Sequence, residues 1–223
     1  MELIFSALVY IGDMLSQMSI GIVNSLLIFT MTLLFSLPLG LLVSFGRMSR
    51  NKILSTFFKF YISIMRGTPL MLQIIAINYG PYYLFHIPAA TDPRFPIIFA
   101  FILNYAAYFA EIYRGGIESI PKGQYEAANV LGLSKAHTFM RIILPQVFKT
   151  ILPSVTNEVI TLVKDTSLAQ ILLYDEMFNL AQTIASRECN IAPLLVAGLF
   201  YYVFNLLIAF IMGRVEKRLN YYH

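Results

Sequence analysis

The chain has 223 residues, of which 58% are hydrophobic and only 13% are charged, and its mean hydropathy is +0.69. Soluble domains carry about 25% charged residues, so this composition excludes a soluble enzyme and predicts one integral membrane domain. The net charge of +4 does not indicate a nucleic-acid-binding protein, because the basic residues flank apolar runs. The single cysteine, Cys189, excludes an internal disulfide and a multi-cysteine metal site.

Five apolar runs are long enough to cross a bilayer as helices. They are 20–45, 55–85, 95–113, 147–170 and 191–213. We therefore predict an all-α integral membrane protein with about five transmembrane helices, in which 20–213 form the transmembrane domain. Residues 1–19 are expected to precede it as an extracytoplasmic segment, and 214–223 to follow it as a cytoplasmic tail.

The second run is unusual, because it contains Lys59, Arg66 and Pro69. Proline interrupts the interior of a helix but is accepted in its first turn. We expect an interfacial segment that ends near Arg66, and a span that Pro69 starts or kinks.

The basic residues predict the orientation of the chain, because Lys and Arg near the ends of spans are retained in the cytoplasm. In the predicted topology only Arg94 and Arg187 lie on one side. The other side holds Arg47, Arg50, Lys52, Lys59, Arg66, Arg114, Lys122, Lys135, Arg141, Lys149, Arg214, Lys217 and Arg218. This asymmetry predicts an external N-terminus, a cytoplasmic loop over 114–148 and a cytoplasmic C-terminus.

The cytoplasmic loop contains signals for two short helices. Pro121 suits the first turn of a helix, Glu126 is expected to complement the positive end of its dipole, and Gly132 ends it. Ser134 can then cap a second helix over 135–143. Such a pair of helices could fit a groove on a partner protein or rest on lipid head groups.

Several motifs of the chain resemble those of a known family. Glu126-Ala127-Ala128, Gly132 and Ile143-Leu144-Pro145 resemble the EAA loop of ATP-binding-cassette (ABC) importer permeases. Further segments resemble the polar amino acid uptake subfamily, and the likeness covers roughly 20–213: Asn24-Ser25-Leu26, Arg66-Gly67-Thr68-Pro69-Leu70, Ala110-Glu111-Ile112-Tyr113-Arg114-Gly115-Gly116-Ile117, and Asn157-Glu158 with Lys164-Asp165-Thr166-Ser167-Leu168.

This resemblance implies a type I importer permease in a prokaryotic cytoplasmic membrane. It implies docking of separate ATPase subunits, which carry ATP and Mg²⁺, on the loop through Tyr125, Glu126, Ala127, Ala128 and Gly132. It makes Arg66, Gly67, Thr68, Pro69 and Lys164 a subfamily motif. Its other implied partners are a second permease, identical or homologous, and an extracytoplasmic binding protein that delivers an amino acid. No cofactor and no metal are expected in this chain.

Beyond Lys149 at its cytoplasmic end, the fourth run contains Glu158, Lys164 and Asp165. Ionisable residues are costly inside a membrane and usually face a cavity or a partner. Glu158 and Asp165 are seven residues apart, which puts them on one helix face about 10 Å apart along the axis. They are therefore candidates to bind a cationic group of the substrate, and the site could be completed by Gln73, Asn104 and Tyr108. The alternative is structural, with Glu158, Lys164 and Asp165 tying helices together. The substrate carboxylate lacks an obvious partner, because no arginine lies within 95–113 or 147–170.

Two features of the sequence are shared with other classes of protein. Ser119 and Lys122 match the Ser-x-x-Lys pattern of acyl-enzymes, but the downstream motifs are absent and Pro121 belongs to a helix start. A self-contained ion-coupled transporter or channel could use Glu158 and Asp165 equally well. The sequence has no phosphate-binding Gly-x-x-x-x-Gly-Lys-Ser/Thr loop, so an ATP-driven mechanism needs a second protein.

Overall fold

The computed structural model describes residues 2–88 and 90–219, and every regular element found in this part of the chain is a helix. The prediction of an all-α protein is confirmed. The α-helices are α1 Glu2–Arg47, α2 Lys52–Gly67, α3 Leu70–Phe85, α4 Arg94–Glu118, α5 Lys122–Val130, α6 Lys135–Thr138, α7 Leu144–Asp165, α8 Met177–Glu188 and α9 Ala192–Leu219. A π-helix, Phe139–Ile143, joins α6 to α7, and a 3₁₀-helix, Thr166–Leu172, follows α7.

Three of the described helices are long and apolar enough to cross a membrane, and a fourth span is counted if the α2 and α3 pair is taken as one. The three are Ile11–Arg47, Arg94–Glu118 and Ala192–Arg218. The fourth predicted span, 147–170, corresponds to α7, whose 22 residues extend about 33 Å. Its charged residues lower its hydropathy, so the crossing of α7 stays a prediction.

The break predicted near Arg66 lies between α2 and α3. α2 ends at Gly67, Thr68 and Pro69 are extended, and α3 begins at Leu70 after a sharp bend. The residue before a proline is disfavoured in the helical region, which explains the extended Thr68. The Thr68 hydroxyl donates to the carbonyl of Ile64 at 2.8 Å and so satisfies one of the last carbonyls of α2.

The chain forms two compact units. The first unit comprises Met1–Leu33, Pro69–Phe101 and Thr161–Leu207, and the second comprises Leu34–Thr68, Ile102–Ile160 and Ile208–His223. The core of the first unit is built from α1, α8 and α9: Met14, Met18, Met177, Ala181, Ile184 and Ala197. One core of the second unit joins α1, α2 and α4, with Val43, Ile62, Ala107 and Ala110. Another joins Ile120 to Ile143, Val147 and Ile151.

Two glycines of α1 permit close helix packing. A methyl group on Gly21 would lie 2.9 Å from the backbone nitrogen and Cα of Met177 in the first unit. A methyl group on Gly40 would lie 2.8 Å from Cβ of Phe109 and 3.0 Å from the carbonyl oxygen of Ala106 in the second unit. Backbone atoms cannot rotate away, so each unit is intolerant of a side chain at its glycine.

Gly21→Ala and Gly40→Ala are therefore expected to destabilise the protein by about 1–3 kcal/mol each, the usual cost of overpacking. Gly198→Ala in α9 is the matched control, because a methyl group there would have no neighbour within 4 Å and alanine favours helix by up to about 1 kcal/mol. Thermal unfolding in detergent, followed by circular dichroism of the helices, measures the effect. Melting of all three variants at the same temperature would contradict this packing.

Candidate functional site

The loop after α4 has the predicted helix–turn–helix form. α5 runs over Lys122–Val130, and Gly132 has a left-handed backbone with φ of 71°. The N–H of Leu133 donates to the carbonyl of Ala128 at 3.0 Å. The N–H of Gly132 donates to the carbonyl of Asn129, also at 3.0 Å. These bonds close the end of α5, so the predicted role of Gly132 as a helix stop is confirmed.

The second helix of the loop is capped as predicted, since the Ser134 hydroxyl accepts from the N–H of His137 at 3.3 Å. It differs from the prediction after Thr138, where Phe139–Ile143 form a π-helix that continues into α7. Phe139 and Ile143 pack with Ile120, Val147 and Ile151. The loop is thereby fixed to the start of α7 by apolar contacts.

A groove of about 570 Å³ lies between α5 and the second helix. It is lined by Tyr125, Glu126, Asn129, Leu133, Lys135, Thr138 and Phe139. Exposed apolar side chains flank it, with Val130 87% and Leu131 75% exposed. An apolar groove rimmed by polar groups is typical of a surface that a partner covers.

Two details of the loop correct the sequence analysis. Ala128 is buried, whereas Ala127 is exposed, so only Ala127 offers its surface to a partner in this structure. Glu126 is the fifth residue of α5 and no acidic residue lies in its first turn, so Glu126 does not complement the helix dipole. It lines the groove instead.

The Arg66 motif is held in the second unit by two residues that were predicted to bind substrate. The Asn104 side-chain amide donates to the carbonyl of Met65 at 2.9 Å. The Arg66 guanidinium lies 5.2 Å from the ring centre of Tyr108, a cation–π distance. Asn104 and Tyr108 therefore anchor the end of α2, and their use by a substrate stays a prediction.

The remaining candidates are divided between the two units. In the second unit Glu158 is half-buried on α7, and the Thr156 hydroxyl donates to Glu216 of α9 at 2.9 Å. In the first unit Asp165 is half-buried at the end of α7, Lys164 beside it is exposed, and Gln73 on α3 is buried. Two ionisable groups of α7 are thus partly withdrawn from the surface, as expected of residues that serve a pathway or a helix contact.

A buried polar cluster in the first unit was missed by the sequence analysis. Glu176 is fully buried and caps α8, because its carboxylate accepts from the N–H groups of Phe178 and Asn179, both at 2.7 Å. The Tyr201 hydroxyl of α9 donates to the same carboxylate at 2.9 Å. Burial raises the pKa of Glu176 to about 7. In sequence Glu176 reads only as one more acidic residue outside the spans, and glutamate is not among the preferred helix caps.

The Asn24-Ser25 motif serves this cluster. The Asn24 amide donates to the carbonyl of Asp175 at 2.7 Å, and the N–H of Met177 donates to the Ser25 hydroxyl at 3.2 Å. Both residues of α1 therefore hold the backbone on either side of Glu176. The motif is explained by packing of α1 against the start of α8.

The pKa of Glu176 predicts a pH-dependent stability. The pKa is raised from 4.5, so the folded protein favours the protonated carboxyl group of Glu176. The resulting stabilisation of the folded state is complete below about pH 4.5. It is lost as the pH rises through about 7. A shift of this size corresponds to roughly 3 kcal/mol. The side-chain group that faces the carboxylate is the Tyr201 hydroxyl, itself hydrogen-bonded to Ser25 and Thr166.

We expect the melting temperature of the wild type to fall between pH 5 and pH 8, and that of Glu176→Gln to change much less, because glutamine remains neutral. Circular dichroism in detergent at each pH measures both. Glu118→Gln, on an exposed side chain of α4, is the control and should keep the wild-type slope. An equal slope in all three proteins would contradict the assignment to Glu176.

The fold and site define an α-helical membrane protein with a grooved two-helix loop between its spans. A family model described as the inner membrane component of binding-protein-dependent transport systems matches residues 36–221. The chain is 37% identical over 207 residues to the L-cystine transport system permease protein TcyB of Bacillus subtilis (strain 168), covering 91% of this chain and 86% of that one. It is 36% identical over 201 residues to the arginine transport system permease protein ArtQ of the same organism. This match covers 90% of this chain and 91% of ArtQ.

A solved structure of an amino acid ABC transporter with histidines matches with a TM-score of 0.85 and 26% identity, covering 94% of this chain and 97% of that one. The chain belongs to the family of inner membrane components of binding-protein-dependent transport systems. It is thus a multi-pass membrane permease of the type I ABC importer fold, and the family resemblance seen in its motifs is confirmed.

Proposed function

We propose that this chain forms the membrane pathway of an ATP-driven amino acid importer, with its N-terminus outside and its C-terminus in the cytoplasm. The capped two-helix loop with its groove carries the proposal, because a self-sufficient carrier has no need of such a docking element. The names of the relatives, which transport cystine or arginine, support an amino acid as the substrate. The distribution of Lys and Arg supports the orientation.

ATP and Mg²⁺ belong to a separate ATPase in this proposal, since the sequence contains no phosphate-binding loop. In the assembled pair, two ATPase subunits bind through 121–143, and the helix α5 with Tyr125 and Glu126 fits a groove on the ATPase. Closure of the ATPase on ATP moves α5, and the contacts of Phe139 and Ile143 with Ile120 and Val147 pass this motion to α7. In this proposal two permease chains form the pathway together, and the second chain is either identical or homologous to this one.

An extracytoplasmic binding protein delivers the substrate in this proposal, which membership of a binding-protein-dependent family supports. Inside the membrane Glu158 is the favoured contact for the positively charged group of the amino acid, because it lies roughly 13 Å along the helix from Lys149, the basic residue near the cytoplasmic side. Asp165 continues the same helix face. Gln73, Asn104 and Tyr108 are proposed to contribute polar contacts when substrate is present.

The first test is purification of the tagged chain from its native membrane in mild detergent, with identification of the proteins that accompany it in fixed ratio. We expect an ATPase with a phosphate-binding loop, and the number of distinct permease chains shows whether the pair is a homodimer or a heterodimer. Recovery of the chain alone, under conditions that preserve other membrane complexes, would contradict the proposal. It would favour the self-contained ion-coupled transporter instead.

A further inference from the structure

A cavity of about 340 Å³ lies in the first unit beside the segment that precedes α8. Its lining comes from α1, the start of α4 and residues 173–175, and it includes Ile20, Asn24, Arg94, Tyr174 and Asp175. By the charge distribution these segments face the outside. The cavity therefore lies on the side from which the proposed substrate arrives.

Both signs of charge border this cavity. Arg94 donates to the carboxylate of Asp92 through Nε at 2.9–3.0 Å and through one terminal nitrogen at 2.7 Å, which holds the pKa of Asp92 below its ordinary value. The described residues provide no hydrogen-bond acceptor for the other terminal nitrogen of Arg94. Asp175 is exposed, and its carboxylate has only a long contact of 3.4 Å with the Asn179 amide. A donor and an acceptor of opposite charge are thus available at one cavity.

Tyr174 supplies an independent sign of a missing ligand. Its side chain lines the cavity and is only 6% exposed, yet its hydroxyl has no hydrogen-bond partner among the residues that the structure describes. Arg94, Asp92 and Asp175 all lie within electrostatic range of this hydroxyl. Buried hydroxyl groups are rarely left unsatisfied, because the loss costs about 1–3 kcal/mol.

The segment that carries these groups is fixed before any ligand binds. The Asn24 amide holds the carbonyl of Asp175 at 2.7 Å, and Glu176 next to it is buried and caps α8. The N–H of Arg94 donates to the Asp92 carboxylate at 2.9 Å and so fixes the start of α4. Groups held in place by their own backbone bonds lose little entropy on binding.

We propose that this cavity is an external binding site for a free amino acid, which it recognises by its two charged ends. The carboxylate of the amino acid binds Arg94 and the Tyr174 hydroxyl, and the ammonium group binds Asp175. A free amino acid carries both charges within one small molecule, whereas a protein side chain offers only one, so the pairing of Arg94 with Asp175 favours the small molecule. The inference rests on the proposed function, and it gives the carboxylate the arginine that 95–113 and 147–170 do not contain.

The test measures protection of a cysteine in the cavity. Ile20→Cys is made in a Cys189→Ser background, and the assembled complex in membrane vesicles is treated from the external side with a charged, membrane-impermeant methanethiosulfonate. L-Glutamine and L-arginine serve as probes. We expect at least one of the two amino acids to slow modification of the cysteine severalfold. Its methyl ester and its N-acetyl derivative each lack one charge and should protect the cysteine much less. Leu173→Cys provides a second position should Ile20→Cys not assemble.

Variants of the charged residues sharpen the test. Arg94→Gln and Asp175→Asn should each abolish protection. Asp92→Asn should strengthen it, because it releases Arg94 from its ion pair while asparagine can still accept from the N–H of Arg94. The native Cys189, exposed at the end of α8, is the matched control in the wild-type chain, and its modification should be unaffected by the amino acid.

The proposal is overturned if neither amino acid changes the rate at Ile20→Cys or Leu173→Cys, or if protection survives in both Arg94→Gln and Asp175→Asn. Protection by the substrate-free binding protein alone would assign the cavity to a protein contact and also overturn it. Uptake of labelled amino acid by the wild-type complex separates the two proposals. Uptake without protection rejects this site alone, whereas absence of both rejects the transport function as well.

Discussion

Gly132→Val is expected to abolish most of the ATP-driven uptake while the chain still inserts into the membrane. Gly132 has φ of 71°, a region in which an L-residue costs about 1–2 kcal/mol and a β-branched residue is a clear outlier. The strain would open the turn whose N–H groups close α5, so the groove between α5 and the second helix would lose its shape. A loss of this size lowers the population of the competent loop roughly 5- to 30-fold.

Gly132→Asn is the matched control, since asparagine tolerates the left-handed region. A methyl group at this position meets no atom within 4 Å, so the contrast between the two variants reports backbone conformation and not steric overlap. Uptake in vesicles and ATPase activity stimulated by the binding protein are the measurements. Equal activity of Gly132→Val and wild type would mean that the loop does not couple to the ATPase in this conformation.

Glu158→Gln is expected to reduce uptake about ten- to a hundredfold without loss of assembly. The neutral amide cannot balance the ammonium group of a substrate, and a hydrogen bond to a charged group contributes about 1.5–3 kcal/mol, with each 1.4 kcal/mol equal to a factor of ten. Initial rates of uptake for individual amino acids measure the loss. Copurification of the ATPase with the variant shows that the complex still forms.

Asn157→Gln is the control for Glu158→Gln, because Asn157 is exposed on the neighbouring position of α7 and its change preserves charge. It should retain wild-type uptake. Wild-type uptake rates in Glu158→Gln for every amino acid tested would mean that Glu158 does not contact substrate and acts in helix packing. Loss of the complex in Glu158→Gln but not in Asn157→Gln would lead to the same conclusion.

The parts of the fold that the sequence predicted well depend on local signals. Pro121, Gly132 and Ser134 act within one or two turns of their own helices, so the two-helix loop could be placed before any tertiary structure was known. The break at Thr68 and Pro69 was predicted for the same reason. The long apolar runs gave α1, α4 and α9, because the length needed to cross a bilayer is a property of the segment itself.

The roles of several side chains could not be read in this way, since they depend on residues distant in sequence. The amide of Asn104 holds the carbonyl of Met65, 39 positions away, a contact that no local pattern indicates. Ala128 was expected to face a partner, but its side chain is buried in the folded loop. The helix α8 was missed because it is short and amphipathic, without the apolar length that marks a span.

The sequence by itself determined that this protein is an all-helical membrane permease with a two-helix loop, because hydropathy, helix caps and family motifs are all encoded within short segments. Only the tertiary structure decided which polar groups are buried and what they contact. Glu176 acquired its raised pKa from burial beside Tyr201, and its neighbouring backbone is held by Ser25 from the distant α1. Burial and hydrogen bonding between helices arise from packing, and packing is a property of the whole chain.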